Sequence, residues 1–215
     1  LQGWDNYDLA RQTDYLAYDI YSATRWPRLL EILEHVRSAA AVHGKPFIML
    51  EYHAGPNHWS PVVTHRDITI EGYAALAREC RALQWFRWYP SSSGREQGIH
   101  GMLDSQARPT ERFTAVAEIA ALTQRIAPLL ASSRTLADLA VLTSNDNAYL
   151  SYARQQNTGK DRQRWDVFCR LLSAAGFQFD QIDPTVLESG DISRYRAIIA
   201  GHVPVLSKGA WDRLS

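Results

Sequence analysis

Short apolar runs alternate with stretches of helical periodicity along most of the chain, and this alternation constrains the fold more than any other feature. The runs that are typical of strands in the first half are Leu16–Tyr21, Phe47–Tyr52 and Gln84–Tyr89. A strand, a helix and a second strand in succession form a right-handed crossover between parallel strands. Three successive units of this kind predict an α/β fold with a parallel sheet.

The helices between these runs follow from apolar residues at helical spacing. The first is predicted to begin after Pro27 and to end at Gly44, and the second begins at Asp67 and extends its apolar face through Cys80 to Leu83. The third is capped by Thr110 and is predicted to end or bend near Ala127, because Pro128 cannot donate a helical hydrogen bond. Between the last strand and this helix, residues 90–109 have no period.

A short polar break at residues 132–135 predicts a domain boundary. Beyond it the alternation restarts, with strands expected at Leu139–Thr143, Phe177–Ile182 and Arg196–Ala200 and a helix at Arg162–Ala175 that ends at Gly176. We therefore expect one domain over residues 1–132 and a second over residues 136–215.

Charge and cysteine content exclude several classes of protein. The 23 basic and 23 acidic residues cancel, so the counterion release that drives nucleic-acid binding has no evident source. No apolar run approaches the roughly 20 residues needed to cross a bilayer, and we expect no membrane partner. Cys80 and Cys169 each lie in an amphipathic helical pattern, which predicts two buried thiols and favours a reducing, cytoplasmic compartment over a disulfide-bonded one.

Glu51 is the first candidate for chemistry. It ends a continuous apolar strand, and barrel enzymes place their active sites at the carboxyl ends of such strands. A polar and aromatic loop follows it, containing His53, Asn57, His58 and Trp59. An ordinary acidic residue where a strand meets water is the alternative.

The stretch Lys45–Glu51, followed by Asn57-His58-Trp59, resembles glycoside hydrolase family 42. The resemblance implies the last three strand-helix units of a (β/α)₈ TIM barrel, with Glu51 as the nucleophile on the seventh strand and Trp59 as a residue that stacks on the sugar. It also implies a retaining glycosidase that removes terminal β-D-galactosyl residues.

A second group of residues resembles the eighth strand of that family and the loop after it. Phe86-Arg87-Trp88-Tyr89 is the strand, with Trp88 lining the sugar site. The resemblance implies that Glu96 and His100 bind hydroxyl groups of the sugar, although the family commonly spaces that pair three residues apart and here the spacing is four. A surface glutamate and a histidine packed in the loop are the alternative.

Asp19 and Tyr21 resemble the sixth-strand pattern of the family, in which an acidic residue and a tyrosine lie near the barrel mouth and the sugar. His53, His58 and His65 could suggest a metal site. They lie on a loop after a strand, not at i, i+4 on a helix, and no cysteine cluster accompanies them. We therefore predict no catalytic metal and no cofactor.

Retaining glycosidases need a second carboxyl group as acid/base, about 5 to 5.5 Å from the nucleophile. The family supplies it from an Asn-Glu pair on the fourth strand, and no such pair occurs in this chain. We therefore expect the acid/base upstream of Leu1, and the chain alone to be inactive. The second domain resembles the family's flavodoxin-like domain, itself similar to glutamine amidotransferases, which implies a homotrimer.

Two alternatives remain open. One is a non-catalytic protein derived from a glycosidase barrel that binds carbohydrate or serves in assembly, and the other is a related glycosidase that acts on another sugar.

Overall fold

A computed structural model of the chain describes residues 5–21, 26–58, 62–153, 167–201 and 203–215. Strands and helices alternate, and the fold is α/β with parallel strand pairs, as the sequence predicted. In chain order the elements are α1 (Asn6–Gln12), β1 (Leu16–Ile20), α2 (Trp26–Val42), β2 (Phe47–His53), α3 (His65–Leu76), β3 (Leu83–Phe86), α4 (Glu111–Ser132), β4 (Leu139–Leu142), α5 (Asn145–Ala153), α6 (described over 167–174), β5 (Phe179–Ile182), α7 (Pro184–Ser189), β6 (Ala197–Ile199) and α8 (Lys208–Leu214).

The described strands form two three-stranded sheets. The first has the order β1-β2-β3, and β2 pairs with β3 in parallel. The second has the order β5-β4-β6, with β4 parallel to both neighbours. In β2 the register shifts between Met49 and Tyr52, and such irregularities re-aim side chains where a strand approaches a site.

The chain divides into two compact units that are each discontinuous in sequence. The Glu51 unit consists of Ala17–Leu29 and Pro46–Arg134. The carboxyl-terminal unit consists of the segment that ends at Leu16, Leu30–Lys45 and Thr135–Ser215. The predicted division into domains 1–132 and 136–215 stays a prediction.

In the Glu51 unit, α3 packs against α4 through an apolar cluster. Its buried members are Val63, Ile68, Leu76, Ala115 and Ile119. Thr64 begins α3 with a capping box, in which its side chain accepts from the Asp67 backbone and the Asp67 carboxylate accepts from the Thr64 backbone. This reciprocal pairing satisfies donors that a helix start leaves without partners, so the helix begins two residues before the predicted Asp67.

The predicted extension of α3 through Cys80 and Leu83 is wrong. The helix ends at Leu76, and the turn that follows places Glu79 at φ 67°. A positive φ cannot continue a right-handed helix, and the Cys80 backbone N–H donates to Ala75 O at 3.1 Å instead. Leu83 therefore starts β3, while Cys80 is buried in the turn as a free thiol.

Of the two predicted effects of Pro128, an end of α4 near Ala127 is wrong, because the helix continues through Pro128 to Ser132, and a bend there stays a prediction. Pro128 is exposed, so water can satisfy the carbonyl that its missing N–H leaves without a partner. By length and composition, α4 alone among the described helices could cross a membrane. Glu118 and Arg125 lie within its apolar stretch, and charged groups are costly in a bilayer.

The core of the carboxyl-terminal unit lies between its sheet and α6. Val141, Cys169 and Phe179 form a buried cluster, with Phe168 and Leu172 packed against it. Cys169 is a free thiol on a helix, as predicted. The predicted start of that helix at Arg162 lies outside the described residues. Gly176 follows the helix at φ 77°, a left-handed conformation that glycine adopts without a steric penalty.

Candidate active site

Glu51 lies on β2, next to the irregularity that follows Met49, and its side chain is half-buried. The buried neighbours Met49 and Tyr52 face the core of the Glu51 unit. The register shift falls at this point of the strand, where Glu51 is half-buried and Tyr52 is buried. Glu51 is therefore partly accessible to a ligand.

Tyr21 follows β1 and donates a hydrogen bond from its hydroxyl to Glu51 Oε2 at 2.6 Å. Burial raises the pKa of Tyr21, and the hydrogen bond to Glu51 raises it further. The phenol therefore stays neutral and serves as a donor throughout the physiological range. A short bond from a neutral donor to a carboxylate fixes the carboxylate geometry and stabilises its charge.

Asp19 lies two residues before Tyr21, which places both on the same side of an extended strand. Much of its side chain is exposed. Loss of part of its hydration raises the pKa of Asp19, and the negative charge of Glu51 raises it further. The negative charge of Glu51 therefore repels that of Asp19, and Asp19 binds a proton more readily than an isolated aspartate.

The loop after β3 is held by Arg87. Its Nη1 lies 3.4 Å from Glu96 Oε2, and its Nη2 donates to the Glu96 backbone oxygen at 3.3 Å. The Arg87 guanidinium also lies 4.8 Å from the centroid of the Phe86 ring. Glu96 keeps 42% of its side chain exposed, so a fixed carboxylate remains available to a ligand.

Trp88 is 58% exposed, and its ring edge packs against Phe113 with 5.4 Å between centroids. Supported indole rings of this kind can stack on the apolar faces of sugars. Trp59, the other predicted stacking residue, lies outside the described residues.

His100 is only 2% exposed and packs against Tyr21, His53 and Phe86, with ring centroids 5.7, 6.2 and 5.3 Å apart. Its predicted contact with a sugar stays a prediction. The structure thus brings Glu51, Tyr21 and His100 together and places Asp19 beside Tyr21.

His53 and Arg87 belong to this group of contacts but were not predicted as site residues. His53 could have been found from its place two residues after Glu51 on the same strand, and Arg87 from its place between two predicted aromatic residues. Among the described residues no group of three or more His, Cys, Asp or Glu side chains is arranged to hold a metal ion.

The chain is similar to several known proteins in sequence and in structure. The sequence model of the family described as Beta-galactosidase, Glyco_hydro_42, matches residues 1–126. The Beta-galactosidase BgaA of Clostridium cellulovorans is 26% identical over 203 residues, which cover 90% of this chain and 30% of that protein.

Among solved structures, the beta-galactosidase of the Antarctic haloarchaeon Halorubrum lacusprofundi superimposes with a TM-score of 0.82 at 21% identity, covering 100% of this chain and 34% of that one. A GH42 beta-galactosidase from G. stearothermophilus superimposes with a TM-score of 0.84 at 21% identity, covering 100% of this chain and 32% of that one. The beta-galactosidase of Bacillus circulans sp. alkalophilus gives a TM-score of 0.83 at 19% identity, covering 99% of this chain and 32% of that one.

These structural likenesses show the fold, and the chain spans about a third of the length of the relatives it matches. The family match is independent of them and covers more than half of the 215 residues. The chain therefore belongs to glycoside hydrolase family 42, the beta-galactosidase family.

Proposed function

We propose that the protein carrying this chain is a retaining glycosidase that removes terminal β-D-galactosyl residues, with Glu51 as its nucleophile. The observation that carries the proposal is the hydrogen bond from Tyr21 to Glu51 Oε2 on β2. It orients a half-buried carboxylate, the group that attacks the anomeric carbon in a retaining glycosidase.

The reaction requires two steps. Glu51 forms a bond to the anomeric carbon while the bond to the leaving oxygen breaks, and a second carboxylic acid protonates that oxygen. The same group then removes a proton from water, which displaces Glu51 and restores the carboxylate. We assign this acid/base to a part of the protein upstream of this chain.

Sugar binding falls to exposed groups around Glu51. We assign stacking to Trp88 and Trp59, and hydroxyl contacts to Glu96 and Asp19. Glu96 is suited to this task because Arg87 holds both its carboxylate and its backbone, so little side-chain entropy remains to be lost on binding. For His100 a contact with a sugar requires more exposure than the 2% observed, which favours a role in packing.

We further propose that the first sheet is the end of a (β/α)₈ barrel and that residues 136–215 begin a flavodoxin-like domain through which the protein forms a homotrimer. The order β5-β4-β6 is second, first, third in chain order. Flavodoxin-like sheets begin with this order, which supports the assignment.

Trapping with a 2-fluoro β-galactoside tests the nucleophile, the retention and the sugar together. Trypsin releases residues 38–66 as one peptide, because Pro46 protects Lys45 from cleavage, and Glu51 is the only carboxylate side chain in that peptide. We expect mass spectrometry of the intact, upstream-extended protein to find the label on this peptide.

Glu51→Gln should abolish the label and lower turnover by about a thousandfold or more, with sugar binding little changed. Glu118→Gln, on the exposed surface of α4, is the matched control and should be labelled like the wild type. A label on another peptide would place the nucleophile elsewhere. Sugar binding without any label would favour a non-catalytic carbohydrate-binding protein, and labelling only by a 2-fluoro derivative of a different sugar would favour a related glycosidase.

A further inference from the structure

Two buried imidazole rings contact the ring of the tyrosine that donates to Glu51. The ring of Tyr21 lies 5.5 Å from that of His53 and 5.7 Å from that of His100, centroid to centroid. Both histidines are buried, with 0% and 2% of their surface exposed. The His53 and His100 rings are also in edge contact, 6.2 Å apart. The three rings thus form one cluster, to which β2 contributes His53 and the loop after β3 contributes His100.

The backbone holds His100 in this place. The Arg87 N–H donates to His100 O at 2.6 Å, and the His100 N–H donates to Pro56 O at 2.7 Å. His100 has φ 65°, a conformation that costs free energy in a residue with a side chain. Strained residues of this kind persist where the surroundings determine them and are concentrated at functional sites.

His53 is fixed from its other side. Asn57 Nδ2 donates to His53 Nε2 at 2.9 Å, and burial lowers the pKa of His53 to about 4. The charged groups around it are Arg112 and Asp67, together with His100 if protonated. Around His100 they are Glu96, Arg87, Glu51 and His58, and burial lowers the pKa of His100 as well. Both rings are therefore neutral near pH 7 and act on Tyr21 by packing.

We propose that His53 and His100 are positioning residues, which hold the Tyr21 ring so that its hydroxyl donates to Glu51 in the orientation needed for attack. This inference rests on the proposed function of Glu51. A tyrosine ring has two side-chain torsions, and the tilted contact with His53 and the edge contact with His100 restrict both. A misplacement of about 1 Å in a catalytic group can lower a rate about a hundredfold, so the packing behind Tyr21 bears directly on the nucleophile.

The test separates positioning from sugar binding by comparing two substitutions. His100→Asn removes the ring but suits the positive φ, and His100→Phe keeps a ring without the nitrogens. In the intact protein we would measure the rate constant of trapping by the 2-fluoro β-galactoside at saturation, and the concentration that gives half of this rate.

We expect His100→Asn to lower the saturating rate constant about tenfold with little change in half-saturation, and His100→Phe to stay within about threefold of the wild type. In a Tyr21→Phe background, His100→Asn should have no further effect beyond about twofold, because two residues that act through one hydrogen bond are not additive. His65→Asn, which alters an exposed pair with Glu118, should behave like the wild type.

If both His100 variants instead weaken half-saturation alike while the saturating rate constant is unchanged, His100 is a sugar ligand and the inference is wrong. A second readout does not need activity. The ¹⁹F NMR signal of 3-fluorotyrosine, assigned to Tyr21 by its loss in Tyr21→Phe, should narrow toward that of a mobile ring in His100→Asn and stay broad in His100→Phe. If the 2-fluoro β-galactoside does not label the wild type but the NMR signals of the two variants differ in this way, the proposed function alone is refuted. If the Tyr21 signal of His100→Asn is the same as that of the wild type, the positioning role is refuted.

Discussion

At the residue scale, the neutral state of the buried histidines makes the Glu51 unit sensitive to acid. Burial holds the pKa of His53 at about 4 in the folded chain, against 6.5 for an unperturbed histidine. Between these values the unfolded chain binds a proton that the folded chain does not. The free energy of unfolding must therefore fall as the pH falls from about 6.5 toward 4, and it is unaffected above that window.

We expect His53 to lower the free energy of unfolding of the wild type by up to about 1.4 kcal/mol for each pH unit lost in that window. Denaturant unfolding at a series of pH values measures this free energy, and its dependence on pH should be shallower in His53→Gln. His65→Gln, at a more exposed site, is the control. Equal slopes in the wild type and in His53→Gln would show that His53 is not held neutral by burial.

Glu51 was predicted from its place late in an apolar strand, because strand ends meet at one edge of a parallel sheet. Asp19 and Tyr21 were predicted from the family resemblance. The sequence did not identify the ring packing of Tyr21, His53 and His100. That packing depends on how a long loop without periodicity returns to β2, and no local pattern encodes such a return. Trp88 and Glu96 were predicted from the family resemblance, and their sugar contacts stay predictions.

At the scale of elements, a buried ionic network attaches α2 to β5 within the carboxyl-terminal unit. Arg37 on α2 lies 3.0 Å from Glu34 and 2.6 Å from Asp180 on β5, and all three side chains are almost fully buried. Arg194 also contacts Asp180 at 2.6 Å, and Tyr195 donates to it at 2.7 Å. Such a network holds one arrangement of helix and strand, because any other leaves a buried charge without its partners.

Arg37→Met should destabilise the chain by about 3 to 5 kcal/mol, since it removes the buried cation next to Glu34 and one of the two cations that contact Asp180. Arg196→Met is the matched control, because its pair with Asp138 is exposed and 4.0 Å long, and should change stability by under about 0.5 kcal/mol. Chemical denaturation measures both. Similar losses in the two variants would show that the Arg37 network contributes no more than a surface pair.

Six strands and the long helices lie where the apolar patterns predicted them, with ends shifted by a few residues. The short helices α1, α5 and α7 were not predicted. Their starts depend on individual caps, such as Asp5 at α1 and Asp183 at α7, and six to nine residues are too few to display a helical period. The predicted extension of α3 was wrong because Cys80 and Leu83 continue the apolar spacing of a helix although a turn separates them from α3.

At the scale of the whole molecule, the chain holds one of the two carboxyl groups that we assign to the reaction. We expect the 215-residue chain, produced alone, to give no turnover of an aryl β-galactoside. The longer protein should be active and should lose activity when the upstream acid/base is changed to Gln. Turnover by the isolated chain would move the acid/base into it, with Glu96 and Asp19 as the first residues to test.

The close approach of two main-chain segments limits which substitutions the loops after β2 and β3 can accept. A Cβ at Gly55 would lie 2.5 Å from Gly101 O, and one at Gly101 would lie 2.8 Å from the backbone N of Pro90. A side chain at either glycine would therefore displace a neighbouring main chain, so the two loops constrain each other. Residues 92–95 at the tip of the loop after β3 are exposed, and replacements there meet no such barrier. Variation designed to alter binding next to Glu51 is therefore best placed at this tip, where it leaves the contact between the two loops intact.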